Sequence, residues 1–235
     1  MAYNIHHGVG CDGTLNLERI AGVIESEAPD LVGLNEVDVA FHRRSEFENQ
    51  LQWLADRLGM KGVFGPSLRY RIFRRQSERQ YGNGLLFRGN LQSMENQVFP
   101  GRGEEPRSIL TARIEWQGCT YRGMVTHMGF TPWMRRKQTE AVRRLCREDP
   151  LPLIGMGDWN AGPGHPIVKS LAPELVDVLT ETGEERGSFS CRNPRKRIDF
   201  IFCTRHFLIR DGYILPTPSC PSDHLPVVGE LDLTQ

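Results

Sequence analysis

Residues 222–226 read Ser222-Asp223-His224-Leu225-Pro226, and the strand-like run Leu225–Leu233 starts inside them. Two earlier segments share that plan. Gly157-Asp158-Trp159-Asn160-Ala161 follows the apolar run Pro152–Met156, and Arg197-Ile198-Asp199-Phe200-Ile201 opens the run Ile198–Cys203. Each sets an acid, an amide or a histidine at the end of an apolar strand, where a rigid scaffold presents polar groups to a ligand. Asn4, Glu36 and His127 hold comparable positions on other runs. The set is rich in oxygen ligands suited to a hard divalent cation, and its two histidines can move protons. That combination points to metal-assisted hydrolysis of phosphoester bonds.

Each element has a structural alternative. Asp158 and Asn160, two apart, face the same way in extended chain, so one can address a metal or water while the other holds a phosphate oxygen. The same pair would also suit an Asx turn capping a helix near Pro166. Asp223-His224 could be a solvated turn after Pro221. Asp199 is harder to dismiss, because an isolated carboxylate inside an apolar run is very costly. A histidine partner resolves that cost by fixing a tautomer and sharing charge, and His224 is the candidate. Glu36 near the end of Leu31–Val37, Asn4 in the first strand and His127 between Thr126 and Met128 are each as readily structural when taken alone. His6 and His7 form no cluster of three or four N/S ligands in the sequence, so a zinc site is not expected there.

Outward from these segments, Leu17, Ile20, Ala21 and Ile24 recur at helical spacing, with Pro29 as the stop. A second helix carries Leu51, Leu54, Ala55 and Leu58, ending at Gly59. Short strands follow at Gly84–Arg88, Leu91–Phe99, Ser108–Trp116 and Thr120–Met128, the last two joined at Gln117-Gly118. Thr131-Pro132 then opens a helix as cap and first-turn proline, with Ala141, Val142 and Leu145 on its apolar face. No repeat or linker interrupts the chain, so residues 1–235 are expected to form one domain with two packed sheets and outer helices.

Composition narrows the function classes. The 29 basic and 29 acidic residues cancel, which counts against strong non-specific nucleic-acid binding. Lys61, Lys137, Lys169 and Lys196 are the only lysines; arginine forks suit phosphate, and codon bias gives the same preference. The six cysteines are scattered without a C-x-x-C pair, so reduced, mostly buried thiols are expected. No apolar run approaches the roughly 20 residues of a bilayer-spanning helix. No basic segment followed by an apolar stretch marks a signal peptide, so a cytoplasmic location is expected; a removed leader stays open.

Taken in order, Tyr3-Asn4-Ile5, Asn35-Glu36-Val37-Asp38, Tyr81-Gly82-Asn83, Thr126-His127-Met128-Gly129, Gly157-Asp158-Trp159-Asn160-Ala161, Arg197-Ile198-Asp199-Phe200-Ile201 and Ser222-Asp223-His224-Leu225-Pro226 resemble the endonuclease/exonuclease/phosphatase family over nearly the whole chain. The resemblance implies a four-layer α/β/β/α sandwich of two mixed sheets, with the site at one rim. It implies Glu36 as principal metal carboxylate, with Asn4 and Asp223 close to the same ion. By the same resemblance, Asp158 orients or deprotonates the attacking water and Asn160 holds a non-bridging oxygen. His224 paired with Asp199 is general base or phosphate clamp, and His127 protonates the leaving oxygen in the deoxyribonuclease branch. That branch pairs its acid histidine with a glutamate, where this chain offers Asn83. Mg²⁺ is the implied ion and Mn²⁺ a substitute. Arg107, Asn83 and the stretch Arg69–Arg79 are further candidates for phosphate contacts.

The expected activity is therefore that of a Mg²⁺-dependent phosphodiesterase or phosphatase. Its partner is a phosphorylated small molecule, lipid headgroup or nucleic acid, and no feature points to an obligate protein partner. A DNA or RNA nuclease of the same family is the first alternative. An inactive binding or scaffold protein on this fold is the alternative of another class; it predicts gaps among the acids and histidines, and all core positions are filled.

Overall fold

Strand alternation sorts this chain into layers. The computed structural model describes residues 1–71 and 78–234. Its strands are β1 (Ala2–Asn4), β2 (Leu31–Val39), β3 (Lys61–Arg71), β4 (Glu78–Phe87), β5 (Asn90–Phe99), β6 (Arg107–Trp116), β7 (Cys119–Thr126), β8 (Leu153–Asp158), β9 (Val176–Asp177), β10 (Asp199–Cys203), β11 (Phe207–Ile214) and β12 (Val227–Leu233). One six-stranded sheet runs β11-β12-β1-β2-β4-β3 and the other β5-β6-β7-β8-β10-β9. Both are mixed, because β1–β2 and β7–β8 pair in parallel while the other neighbours are antiparallel.

Successive side chains take opposite faces. Ala2, Leu31, Leu85, Leu110, Val125, Met156 and Ile201 fill the space between the sheets. Their neighbours Tyr3, Val32, Leu34 and Leu86 face outward under α1 (Leu17–Glu27) and α2 (Gln50–Leu58). On the far side, Met124, Leu153, Phe200 and Phe202 meet Met134, Ala141 and Val142 of α3 (Pro132–Glu148). This is the four-layer sandwich that the motif order implied. A one-residue slip of β8 would trade Met156 and Asp158 for Gly155 and Gly157, so register is strongly held.

The helix ends follow local chemistry. Thr131 caps α3 through its side chain with Pro132 in the first turn, and Gly59 closes α2 in the left-handed conformation. The long β3–β4 ribbon is less legible, since Pro66 sits inside β3 at a register shift and proline argues against a strand interior. Arg69, Tyr70 and Arg71 pair with Gln80, Arg79 and Glu78 along that ribbon. Arg71 is joined to Glu78 at 3.0 Å and Arg79 covers Phe47 at 4.5 Å, which occupies two of the arginines proposed for phosphate contact. Residues 72–77 of the same stretch lie outside the described residues.

The cysteines depart from expectation. Cys191 and Cys220 form a disulfide with Cα atoms 5.8 Å apart, and of the free thiols Cys203 is buried while Cys119 is exposed. Scattered spacing hides a pairing that only the tertiary approach of two loops creates. The bridge joins segments that also share backbone bonds, from Cys191 N–H to the Asp223 carbonyl and from Leu225 N–H to the Ser188 carbonyl, both 2.7 Å. A separation of 29 residues gives about 3–4 kcal/mol of stabilisation by chain entropy. Reduction should therefore lower Tm by roughly 10 °C in calorimetry with and without dithiothreitol. An unchanged Tm would show that the bridge contributes nothing.

Candidate active site at the sandwich rim

Three inner-face rows end in polar groups at the same rim. Asn4 follows Ala2, Asp158 follows Met156, and Asp199 precedes Ile201. Asp158 and Asp199 are direct cross-strand partners on β8 and β10, a placement that is unfavourable for like charges. His224 resolves it. Its Nδ1 donates to Asp199 Oδ2 at 2.8 Å, and its Nε2 lies 3.6 Å from Asp158 Oδ2. Ser188 Oγ donates to the same Asp199 oxygen at 2.6 Å. All three titratable groups are buried.

The charges follow from this packing. Burial disfavours the His224 cation, yet the facing carboxylates of Asp199, Asp158 and Asp223 overcome it and raise the imidazole to about 10. Burial and the neighbouring Asp199 push Asp158 up to about 7, against the opposing pull of His224 and of hydrogen bonds from Asn160 and Asn4. Asp158 Oδ1 accepts the Asn160 N–H at 2.8 Å. That oxygen makes a local Asx turn, while the helix at Pro166 is capped by His165 and not by this pair; the other oxygen faces Asn4, His127 and His224. The turn needs Gly157 behind it, at φ +137, where a Cβ would stand 2.0 Å from the Thr126 carbonyl oxygen.

Glu36 reaches the rim by a bulge. Simple alternation would send it outward with Val32 and Leu34, but β2 shifts register between Leu34 and Val37, and Glu36 takes φ 59. Asn4 Nδ2 then donates to Glu36 Oε1 at 3.1 Å, while His7 Nδ1 lies 3.7 Å from Oε2. Burial raises the Glu36 carboxyl, and His7, His127, Asn4 and His6 together outweigh it and hold the group well below the usual carboxylate range. Asn4 Oδ1 accepts the His6 N–H at 3.1 Å.

His127 is oriented differently from the expectation. Arg107 Nη1 lies 3.4 Å from His127 Nδ1. Because a guanidinium only donates, Nδ1 accepts and the N–H sits on Nε2, 3.5 Å from Asp158 Oδ2. Burial first, then Arg107, lowers His127 to about 3, so the ring is neutral. Asn83 does not take the glutamate's place. Its Oδ1 accepts from Asn35 Nδ2 at 2.8 Å and its Nδ2 donates to the Ser108 carbonyl and hydroxyl. With the residue buried and its amide engaged, Asn83 is also corrected as a phosphate contact. It belongs to a polar layer that stitches the two sheets, in which Asn35 Oδ1 also accepts the Asp158 N–H at 2.8 Å.

Asn160 donates one amide hydrogen to the Met128 carbonyl at 2.8 Å and keeps the other. Arg107 is buried, paired to Glu105 at 2.6 Å, with its Nε unpartnered among the described residues. Among the described residues, two clusters of mutually close ligand atoms occur, Asp158-Asp199-His224 and His6-His7-Glu36, and Asp223 joins neither. The second cluster brings His6 and His7, for which no group of three or four N/S ligands was expected, beside the Glu36 carboxylate. Ser188, Asn35 and Glu105 escaped the sequence reading: Asn35 stood inside a quoted motif, whereas nothing near Ser188 marks it.

Several solved structures share this architecture. An endonuclease/exonuclease/phosphatase from Beutenbergia cavernae matches with TM-score 0.80 and 24% identity, covering 99% of this chain and 70% of that one. A mannosyl-6-phosphatase of Bacteroides thetaiotaomicron matches at 0.78 and 19%, covering 99% and 98%. The human Nocturnin catalytic domain with bound sulfate matches at 0.74 and 22%, covering 99% and 92%. Likeness at these identities speaks to the fold alone. Residues 1–224 match the profile of the Endonuclease/Exonuclease/phosphatase family. With that match across the segments that carry Asn4, Glu36, Asp158, Asp199 and His224, the chain belongs to the endonuclease/exonuclease/phosphatase family of metal-dependent phosphoester hydrolases.

Proposed function

We propose that this protein is a Mg²⁺-dependent phosphodiesterase or phosphatase acting on a small phosphorylated molecule or lipid headgroup. The observation that carries this reading is the His224 imidazole held between Asp199 and Asp158 at 2.8 and 3.6 Å. Asp158, poised near neutral pH, accepts the proton of the attacking water, as a general base is most effective when its pKa lies near working pH. His224, held cationic by Asp199, clamps a non-bridging oxygen. Asn160 offers its free amide hydrogen to a second, and Arg107 adds positive charge beside His127. His127, neutral with its hydrogen on Nε2, donates toward the leaving oxygen without transferring a full charge.

Glu36, with Asn4 and Asp223 completing the oxygen donors, is the set that would hold the cation. Its fit rests on chemistry: an ionised carboxylate with amide and carboxylate oxygens matches a hard ion, Mg²⁺ before Mn²⁺. When bound, such an ion neutralises charge that develops on phosphate oxygens. Zero net charge argues against the nuclease reading, and the filled core positions argue against an inactive scaffold. The Cys191–Cys220 bridge favours an oxidising compartment over the cytoplasmic one read from the sequence. No helix among the described residues is long and apolar enough to cross a membrane.

The test is Mg²⁺-stimulated release of p-nitrophenol from bis-p-nitrophenyl phosphate and from the monoester. DNA, RNA, sphingomyelin and inositol phosphates follow as natural classes. Turnover of the small esters with little on DNA or RNA is expected; inertness toward all of them with Mg²⁺ and Mn²⁺ would end the reading.

A further inference from the structure

Three residues in the left-handed region of the backbone map meet beside β1: His6 at φ 45, His7 at φ 44 and Glu36 at φ 59. One ligand atom from each lies within 4.8 Å of the other two. We propose that His6, His7 and Glu36 form a second cation site, for a borderline first-row ion such as Zn²⁺ or Co²⁺, with Glu36 bridging it to the oxygen-lined site. The proposal rests on the preceding functional reading only through Glu36.

The two oxygens of Glu36 face different chemistry. Oε1 accepts from Asn4, whose amide also reaches Asp158 at 3.2 Å. Oε2 faces His7 Nδ1 at 3.7 Å, too long for a hydrogen bond. Two ligands that share an ion at about 2.1 Å stand roughly 3–4 Å apart. His7 is only 9% exposed, and its buried Nδ1 has no hydrogen-bond partner among the described residues. Burying a polar atom unpaired is costly, and a cation on this lone pair removes that cost.

The tautomer of His6 suits the same role. Its Nδ1 lies 2.9 Å from the Val9 carbonyl oxygen. A carbonyl only accepts, so Nδ1 carries the hydrogen and Nε2 keeps its lone pair. Anchoring one ring nitrogen on a backbone carbonyl is how metal-ligating histidines are commonly oriented. Two imidazoles and one carboxylate select Zn²⁺, Co²⁺ or Fe²⁺ over Mg²⁺, which prefers oxygen ligands throughout.

The experiment titrates the chelator-stripped protein with Co²⁺ in excess Mg²⁺. We expect one Co²⁺ equivalent to persist, with the visible absorption of a nitrogen-bound ion. His6→Asn and His7→Asn, chosen because asparagine tolerates the left-handed backbone, should each weaken Co²⁺ binding at least about tenfold, with Mg²⁺ binding by calorimetry kept. If either variant fails to fold, the wild-type protein still decides: Co²⁺ must shift the ring protons of His6 and His7 in its NMR spectrum. Unaltered Co²⁺ affinity in both variants, unshifted His6 and His7 rings, or complete displacement of Co²⁺ by Mg²⁺ would overturn the proposal. Co²⁺ held by these histidines in a protein inert toward every phosphoester would remove the functional reading and leave this one standing. Mg²⁺-dependent turnover with Co²⁺ binding indifferent to both histidines would do the reverse.

Discussion

Glu36→Gln is expected to lose at least about 10³-fold in turnover, which corresponds to roughly 4 kcal/mol of barrier, while keeping the fold. The substitution keeps the size of the side chain and its contact with Asn4 but removes the charge that a divalent cation needs. Charge stabilisation by a bound metal is worth several kcal/mol, so losing its principal carboxylate dominates any packing effect. Neighbouring groups outweigh the burial cost of the Glu36 carboxyl and hold it well below the usual range, so the charge adds stability at neutral pH and its removal should lower Tm modestly while the protein stays folded at assay temperature. Calorimetric Mg²⁺ titration, steady-state rates and a thermal melt on the same preparation check all three points. A wild-type rate in Glu36→Gln would remove Glu36 from the metal site.

The His224–Asp199 pair should respond almost as strongly. His224→Ala is expected to lose at least about 10²-fold, the low end for removing one preorganised donor to the transition-state charge. Asp199→Asn has a sharper signature. His224 is raised to about 10, so its cation survives through neutral pH and is lost as pH rises through about 10. Asp158 is pushed to about 7, so its carboxylate forms as pH rises through that value. The rate should therefore climb through about 7 and fall through about 10. In Asp199→Asn the chief attraction raising His224 is gone while burial still opposes its charge, so the alkaline limb should move down; the acid limb should move down too, because Asp199 also helps to raise Asp158. Linkage has the same sign: a histidine with a raised folded pKa adds stability below its unfolded value near 6.5, and that stability is lost as pH rises through about 10. A kcat/KM profile in Asp199→Asn that superimposes on wild type would dissolve the dyad.

Much of this could be read residue by residue. The period of two placed Asn4, Asp158 and Asp199 at the ends of inner-face rows, and a lone acid in Ile198–Phe202 demanded a partner that proved to be His224 at 2.8 Å. Thr131-Pro132 and Gly59 marked helix ends because capping is local chemistry. The β3–β4 ribbon was hidden by Pro66, and Ser188 was hidden because its role comes entirely from a loop folding back onto Asp199.

The alternation of apolar residues and the caps by themselves determined two packed sheets with outer helices and polar groups at strand ends; that these groups share one rim was implied by the family resemblance carried in the order of the motifs. Only the tertiary structure decided which of those groups share charge. A bulge at Glu36 reverses its face and brings it to His6 and His7, Arg107 rather than Asn83 sets the His127 tautomer, and Cys191 finds Cys220 across two loops. The physical reason is range: strand period and capping act over a few neighbours, whereas ion pairing, tautomer choice and cross-linking depend on atoms that only the packed sheets bring within about 4 Å.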